Sequence, residues 1–365
     1  MRYKSIFFEN LALSNNFFIK KFKKNYSTFI KKGNYILSDF VKKFEKDFAH
    51  YNQSKFCVGV ANGLDALTIA LHSLNLDKNS EVILASNSYV ACTMSIINAN
   101  LKPVLVEPNI NTYNIDTSLI EQKITKKTKV IMAVNLYGKP CDLISINKIC
   151  KKYNLYLVED CAQSHGASIN GKITGSFGDL GCFSFYPTKN LGSLGDAGAI
   201  VCNNKILYSK IRKIRNYGSE KRYNNEILGV NSRLDEFQAA FLITKLKYLD
   251  KINDHKIKLA NIYNKYLKDD FVKPLQQKGF KDVYYIYNVR HPKRDKIIKF
   301  LLEKNISTDI HYPLPPYKQK CFRKKFDHKF PISDIIHKTT LSLPISFSHT
   351  EKDIWRVIET LNNFK

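Results

Sequence analysis

The chain has 365 residues, with 58 lysines and arginines against 32 aspartates and glutamates, which gives a formal net charge of +26. This length accommodates one large α/β unit and a smaller partner domain, and 44% hydrophobic residues is ordinary for a globular protein. No apolar run reaches the length of a membrane span, and the first residues lack the apolar block of a signal peptide, so we expect a cytoplasmic protein.

The positive charge raises the hypothesis of a nucleic-acid-binding protein. The lysines are spread along the chain, however, and dense clusters such as Lys20–Lys24 are short. No interleaving of aromatic and basic residues forms a stacking platform for bases. We therefore expect neither a nucleic-acid nor a membrane partner, and we expect the positive field to attract an anionic small substrate.

The eight cysteines form no C-x-x-C pair, and most lie inside apolar stretches. This distribution is typical of reduced core cysteines rather than of a disulfide framework or a zinc site. We therefore expect no metal site.

The first thirty or so residues show only a weak structural pattern, but residues 60–205 alternate between helical and strand patterns. The apolar spacing of "NGLDALTIALHSL" predicts a helix, "EVILAS" a strand and "YVACTMSIINAN" the next helix. Further along, "KVIMAVNLYG", "LISINKICKKYN" and "LYLVED" predict strand, helix and strand. Right-handed βαβ crossovers and a mainly parallel sheet follow from this alternation.

A long helical pattern after Asn231 predicts a connection to a second, smaller unit. The later segments, such as "VYYIYNVRH", "KIIKFLLEKNIS" and "DIWRVIETLNNF", are typical of a small α+β domain. We therefore divide the chain into a large domain at residues 1–250 and a small domain at residues 251–365.

Polar side chains follow the predicted strands, and ligands of open parallel sheets bind at the carboxyl ends of strands. The strand "LYLVED" ends in Glu159 and Asp160, which alternation directs to opposite sides, so one carboxylate is free for a cationic ligand and the other for a structural role. Gln163 adds a donor and an acceptor. Taken alone, the motif is better explained by a strand that ends in polar turn residues.

The motif "VANGLDAL" places Asn62 and Gly63 at the start of a helix, where the backbone N–H groups of Leu64 and Asp65 are free for a phosphate. An ordinary asparagine cap explains the same letters. Tyr89 follows another strand and either covers a flat ring or belongs to the core.

The segment Gly171–Gly198 holds seven of the fifteen glycines, which indicates tight turns and close backbone approach. Within it, Ser184 and Lys189 lie five residues apart around a strand-to-loop bend, so a hydroxyl can bind a phosphate while the amine reaches a ring. Together these parts suit a flat, phosphorylated ligand with a cationic ring atom and an aldehyde, and pyridoxal phosphate fits. A carboxylate such as Asp160 would keep its ring nitrogen protonated.

Over nearly its whole length the chain resembles the pyridoxal-phosphate sugar aminotransferases of the DegT/DnrJ/EryC1/StrS group. The motifs that carry the resemblance are "VGVANGLDAL", "VEDCAQSHGA", "GCFSFYPTKNLGSLGDAGAIV" and "RNYGSEKRYNNEILGVNSRLDEFQAA". The resemblance implies the type I fold of aspartate aminotransferase, an α/β architecture with a mainly parallel central sheet in the large domain and a smaller α+β C-terminal domain.

The resemblance also implies roles for individual residues. Lys189 corresponds to the Schiff-base lysine, Asp160 to the partner of the pyridine nitrogen, Gln163 to the partner of the ring hydroxyl. Tyr89 would stack on the ring. The phosphate would be held by Gly63, Leu64, Asp65 and Ser184, and by Asn231 supplied from the neighbouring subunit, which implies a homodimer with shared active sites.

The motifs are most similar to those of members that act on dTDP-linked 3-keto-6-deoxyhexoses, with L-glutamate as amino donor. Members that dehydrate sugars carry histidine at the position of Lys189, so the lysine favours transamination. Four further residues are predicted substrate contacts: Arg215, Tyr217, His311 and Tyr312. At Asp282 and Tyr285 relatives commonly have histidines, which concerns the substrate rather than the cofactor.

Two other functions remain open at this point. One is an aminotransferase that acts at C4 of a UDP-linked keto sugar. The other is a non-catalytic member that binds pyridoxal phosphate and regulates.

Overall fold

The computed structural model describes residues 4–221, 223–322, 326 and 329–365. Its strands are β1 (Phe56–Val60), β2 (Glu81–Ala85), β3 (Lys102–Val106), β4 (Thr128–Val134), β5 (Tyr156–Asp160), β6 (Ser168–Ile169), β7 (Lys172–Ile173), β8 (Leu180–Ser184), β9 (Gly198–Cys202), β10 (Ser219–Lys221), β11 (Asn224–Asn225), β12 (Phe280–Lys281), β13 (Tyr287–Arg290) and β14 (Thr340–Leu343).

The helices, apart from short 3₁₀ turns, are α1 (Leu11–Lys32), α2 (Asp39–Tyr51), α3 (Gly63–Ser73), α4 (Val90–Asn98), α5 (Leu143–Tyr153), α6 (Lys205–Ile214), α7 (Glu236–Leu246), α8 (Leu249–Tyr266), α9 (Arg294–Glu303), α10 (Pro331–Thr339) and α11 (Glu351–Asn362). Among the residues that the structure describes, none of these helices combines the length and the apolar character that a membrane crossing needs.

The central sheet has seven strands in the order β1-β9-β8-β5-β4-β2-β3. The strands β8, β5, β4, β2 and β3 run parallel to one another, whereas β9 is antiparallel to both β1 and β8. Helices cover both faces, and for this reason every residue of β2 and β9 is buried. The mainly parallel α/β sheet predicted from the sequence is confirmed.

The N-terminal helix α1 was not predicted. Asn10 begins it, because its side chain accepts a hydrogen bond from the Leu13 N–H at 3.1 Å. The ring of Phe18 is fully buried, and the ring of Phe22 packs edge-on against Phe241 with centroids 5.2 Å apart. The aromatic residues of α1 recur at helical spacing, and this periodicity is the feature of the sequence that indicates the helix.

The small domain has its own core around the β13–β14 pair, where Tyr287 lies opposite Leu343. Helix α8 joins it to the large domain, since Leu249 packs in the core beneath the sheet and Leu259 packs in the small domain. The predicted division at residue 250 falls in the first turn of α8. Ile6 falls within the predicted range 1–250, but it packs in the small-domain core and donates its N–H to the Asn305 carbonyl at 2.9 Å. The sequence analysis did not predict this contact.

Seven of the eight cysteines are buried, as expected for core residues, and all eight have free thiols. Cys321 is the exposed one. It lies in a surface loop that the apolar patterns did not distinguish from the core.

The docking of α1 depends on Phe18, so we predict that Phe18→Ala lowers the free energy of unfolding by about 3–5 kcal/mol, because it leaves a cavity against Phe241. The matched control is Ile19→Ala on the same helix, whose side chain is 51% exposed and whose loss should change stability by about 0.5 kcal/mol or less. Urea unfolding measures both, and equal effects would contradict the assigned docking.

Candidate active site

A cavity of about 640 Å³ opens at the carboxyl ends of the parallel strands, a volume typical of small-molecule sites. Side chains from both domains line it. Nine of the residues that the sequence singled out are among them: Gly63, Leu64, Tyr89, Asp160, Gln163, Ser184, Lys189, His311 and Tyr312.

One wall of the cavity is the start of α3. The side chain of Asn62 caps the helix by accepting the Asp65 N–H at 2.9 Å, so this predicted phosphate donor is engaged, and Asp65 does not line the cavity. In the described part of the chain the N–H groups of Gly63 and Leu64 have no partner. The structure therefore narrows the free donors to these two.

The start of α3 lies almost against the end of β8. A Cβ on Gly63 would lie 2.6 Å from the Cβ of Ser184, and a Cβ on Gly198 would lie 2.4 Å from the Asn62 carbonyl oxygen. Glycine at both positions is what permits this approach. The result is a cradle of free N–H groups and the Ser184 hydroxyl at a positive helix end, which suits a phosphate.

Asp160 ends β5 and is buried beside the cavity. Its Oδ1 accepts the Ala162 N–H at 3.0 Å, and its Oδ2 accepts the Cys92 thiol at 3.0 Å. Burial raises the pKa of Asp160, while the Cys92 thiol, the Ala162 N–H and the Lys189 ammonium favour the charged form. This carboxylate is thus placed to meet a cationic ring atom.

The side chain of Glu159 points to the face of β5 opposite that of Asp160. It has the structural role that strand alternation allowed for one of the two carboxylates. Its carboxylate accepts three backbone N–H groups, from Gly175 at 2.6 Å and from Phe177 and Gly178 at 2.8 Å. It therefore fixes the glycine-rich turn that leads into β8.

Lys189 extends into the cavity from the loop that follows β8, the strand that pairs with β5. Its N–H donates to the Tyr186 carbonyl at 2.8 Å, which closes a tight turn at this point. Its Nζ lies 4.0 Å from the ring centroid of Tyr285. The amine and the Asp160 carboxylate thus face one cavity from adjacent strands.

Gln163 is held at both ends of its amide. Its Oε1 accepts the Tyr137 N–H at 2.7 Å, and its Nε2 donates to the Tyr312 hydroxyl at 2.8 Å, which leaves one amide hydrogen for a ligand. The ring of Tyr312 lies 4.9 Å from that of Tyr89. These two aromatic rings line one side of the cavity.

His311 lies on the small-domain side of the cavity. Its Nδ1 is 2.9 Å from the Ser342 hydroxyl. Burial lowers the pKa of His311 to about 4, a shift that Asp309 opposes and Lys189 supports. The imidazole is therefore neutral at pH 7 and available for a hydrogen bond to an uncharged ligand group.

Four predicted site residues lie outside this cavity: Asp65, described above, Arg215, Tyr217 and Asn231. Arg215 is buried and bonds to the Glu45 carboxylate and, at 2.6 Å, to the Gly59 carbonyl, so we correct its assignment from substrate contact to a structural link between α6, α2 and β1. Tyr217 is half exposed, and Asn231 is exposed. Within a single chain neither of the two reaches the cavity.

The cavity also contains residues that the sequence analysis did not assign to it: Phe8, Glu9, Asn135, Thr188 and Tyr285. The ring of Phe8 lies 5.7 Å from that of His311, because Ile6 anchors the N-terminal segment in the small domain, and no local pattern indicates this. The sequence analysis mentioned Tyr285 only as a position at which relatives commonly have histidine. Asp282, the other such position, instead forms a buried ion pair with Lys139 at 3.0 Å.

The model of the DegT/DnrJ/EryC1/StrS aminotransferase family matches residues 18–362. The chain belongs to this family. It is 47% identical over 358 residues to a dTDP-3-amino-3,6-dideoxy-alpha-D-galactopyranose transaminase from Aneurinibacillus thermoaerophilus, covering 98% of this chain and 99% of that one. It is 39% identical to a pleiotropic regulatory protein from Geobacillus stearothermophilus, over 90% of each chain.

Solved structures agree with this assignment. The crystal structure of DesV from S. venezuelae superposes with a TM-score of 0.96 at 33% identity and covers 98% of both chains. That of NtdA from Bacillus subtilis with bound PMP cofactor has a TM-score of 0.91 at 27% identity, over 98% of this chain and 86% of that one. The chain is thus an aminotransferase with the expected type I fold.

The cofactor of this family is pyridoxal phosphate, and the residues present fit it. Asp160 matches the ring nitrogen, Lys189 the aldehyde, and the cradle of Gly63, Leu64 and Ser184 the phosphate. When bound, the cofactor supplies the electron sink that transamination requires.

The cradle yields a direct test. We predict that Gly63→Ala weakens pyridoxal phosphate binding about 10-fold or more, because the added methyl meets Ser184 and pushes α3 away. An absorbance titration measures the affinity. In the double variant with Ser184→Gly most of the clash is relieved, so stability should recover while the lost hydroxyl still weakens binding. Wild-type affinity in Gly63→Ala would refute the cradle.

Proposed function

We propose that this chain transfers the amino group of L-glutamate to a nucleotide-linked keto-deoxysugar, the substrate being a dTDP-linked 3-keto-6-deoxyhexose. The observation that carries this proposal is the nearly full-length similarity to the Aneurinibacillus transaminase, whose name specifies a 3-amino-3,6-dideoxy sugar. The product would be an amino sugar nucleotide for deoxysugar or polysaccharide biosynthesis in the cytoplasm.

The chain's own residues divide the work. Lys189 Nζ takes the proton from the α-carbon of the amino donor and later returns a proton to the sugar carbon that receives the nitrogen. The neutral imidazole of His311 and the hydroxyl of Tyr312 are hydrogen-bonding groups for the uncharged sugar. The excess of positive charge attracts the diphosphate of the nucleotide.

Two alternatives remain distinguishable by their products. A C4 aminotransferase acting on a UDP-linked sugar would place the nitrogen on another carbon. A non-catalytic regulator would bind the cofactor without turnover, and the Geobacillus relative carries a regulatory name. A lysine in the cavity beside a buried aspartate favours catalysis, because binding alone does not require a proton-transfer group.

The decisive experiment incubates the purified protein with L-glutamate and a panel of dTDP- and UDP-linked 3-keto and 4-keto sugars. We expect mass spectrometry to detect an amino sugar nucleotide and NMR to locate its nitrogen at C3. Lys189→Ala should abolish both the product and the yellow colour that pyridoxal phosphate gives the wild type. Nitrogen at C4 would support the first alternative, and a yellow protein that forms no product the second.

We further propose that the protein acts as a homodimer in which Asn231 completes the neighbour's phosphate site. Asn231 is exposed in its own chain. In the loop before Asn231, the side chains of Leu228 and Val230 are 98% and 43% exposed. Leu194, in the glycine-rich segment after Lys189, is 41% exposed. Apolar surface of this kind is typical of protein contacts.

Hybrid dimers test the shared site. Lys189→Ala and Asn231→Ala should each be inactive as homodimers. Unfolded and refolded together in equal amounts, they should regain about a quarter of wild-type activity, because half of the dimers are hybrids and each hybrid has one intact site. If Asn231 served its own chain, the mixture would be no more active than the two variants measured separately.

A further inference from the structure

A buried lysine that the chemistry above does not use lies directly behind Lys189. Lys256 is on α8 and is only 3% exposed. Its Nζ donates to the Asn190 side-chain oxygen at 2.9 Å and to the Tyr285 carbonyl at 3.0 Å. Lys256 thus links Asn190, the residue after Lys189, to the backbone of Tyr285, whose ring contacts Lys189.

A second residue of α8 reinforces this junction. The Asn190 side-chain amide donates to Asn253 at 2.9 Å and to the Val283 carbonyl at 3.0 Å, and Asn253 in turn donates to the His165 carbonyl at 2.8 Å. The loop with Lys189 and the segment with Tyr285 are therefore fastened to one rigid helix and, through it, to each other.

On the cavity side, Tyr285 meets Lys189 itself. The Lys189 Nζ lies 4.0 Å from the ring centroid, which is a cation–π distance. The Tyr285 hydroxyl lies 3.1 Å from that of Thr188, the residue before Lys189. The ring thus limits where the amine can lie, and the backbone of Tyr285 is what Lys256 holds.

We propose that Lys256 is a positioning residue for Lys189 and acts through Tyr285, whose ring it fixes against the catalytic amine. This inference rests on the proposed transaminase function, since the position of Lys189 matters only if its amine reacts. It assigns to α8, which joins the two domains, a direct influence on the rate of proton transfer.

The charge of Lys256 fits this task. Burial lowers the pKa of Lys256 to about 8, a shift that Glu9 opposes and that Lys245 and Lys189 support. The group is therefore mainly protonated at neutral pH and donates to two buried oxygens. An apolar side chain of the same length would leave both acceptors without a donor, whereas arginine keeps the donors and the charge.

The experiment compares Lys256→Met, Lys256→Arg, Tyr285→Leu and the double variant Lys256→Met/Tyr285→Leu with the wild type. The matched control is Lys245→Met. Lys245 is as buried, its pKa is also lowered to about 8 by burial, and it bonds to the Gly192 carbonyl at 3.2 Å rather than to Asn190 or Tyr285. Any general cost of losing a buried lysine therefore appears in the control as well.

Three measurements apply to each variant: kcat and KM of transamination, the rate at which the yellow band appears when pyridoxal phosphate is added to cofactor-free protein, and amide hydrogen exchange of residues 186–190, a segment that excludes the Lys245 contact at Gly192. We expect Lys256→Met to lower kcat and the band-formation rate by about 10–100-fold with KM nearly unchanged, because the reacting amine is misplaced. Lys256→Arg should recover most of this loss. Hydrogen exchange in the loop should be faster than in the wild type in Lys256→Met but not in Lys245→Met.

The double variant decides whether Lys256 acts through Tyr285. If it does, Lys256→Met/Tyr285→Leu is no slower than Tyr285→Leu, whereas independent effects multiply. Multiplying effects, or equal losses in Lys256→Met and Lys245→Met, would overturn the proposal. Should Lys256→Met fail to fold, Tyr285→Leu decides: a wild-type band-formation rate in that variant would likewise overturn the proposal.

Failure of the proposed function gives a different pattern. A wild type that aminates no sugar would still show band formation, and the comparison of Lys256→Met with Lys245→Met on that rate would still test the positioning role. A wild type that forms no band at all would remove the cofactor assignment on which both proposals rest.

Discussion

A buried carboxylate and an amine that face one cavity from adjacent parallel strands are the arrangement on which the rest of this structure depends. Burial raises the pKa of Asp160, whereas the Cys92 thiol, the Ala162 N–H and the ammonium of Lys189 favour its charged form. Because β8 and β5 are neighbours in the sheet, the two groups lie at the carboxyl ends of adjacent strands, where ligands of parallel sheets bind. The phosphate cradle and the Tyr89–Tyr312 ring pair line the same cavity.

The small domain contributes to the same cavity through chain segments that are distant in sequence. His311 and Tyr312 come from the segment between α9 and α10, and Phe8 reaches the cavity because Ile6 is anchored in the small-domain core. Helix α8 begins in the core of the large domain and ends in that of the small domain. The helix that joins the domains also bears Lys256, so the geometry of the site and the docking of the domains share one element.

The sequence predicted the parallel sheet from local signals, and it predicted nine residues of the cavity lining from such signals together with the family resemblance. Continuous apolar runs indicate buried strands, and polar residues at their ends indicate the binding edge. It assigned the Asp65 N–H to a phosphate because backbone N–H groups at the start of a helix are free, and the resemblance assigned Arg215 to the substrate. The folded chain gives both groups protein partners, Asn62 and Glu45, and only the three-dimensional contacts reveal these.

The sequence by itself determined the kind of chemistry: a lysine after a glycine-rich strand end, an acidic residue at the next strand, and glycines where backbones must meet. These are properties of residue type and short-range order. Tertiary structure decided that Glu159 holds the glycine-rich turn before β8, that Tyr285 lies against Lys189, and that Lys256 is buried next to both. Such facts depend on contacts between residues tens to hundreds of positions apart, which packing selects and no local pattern encodes.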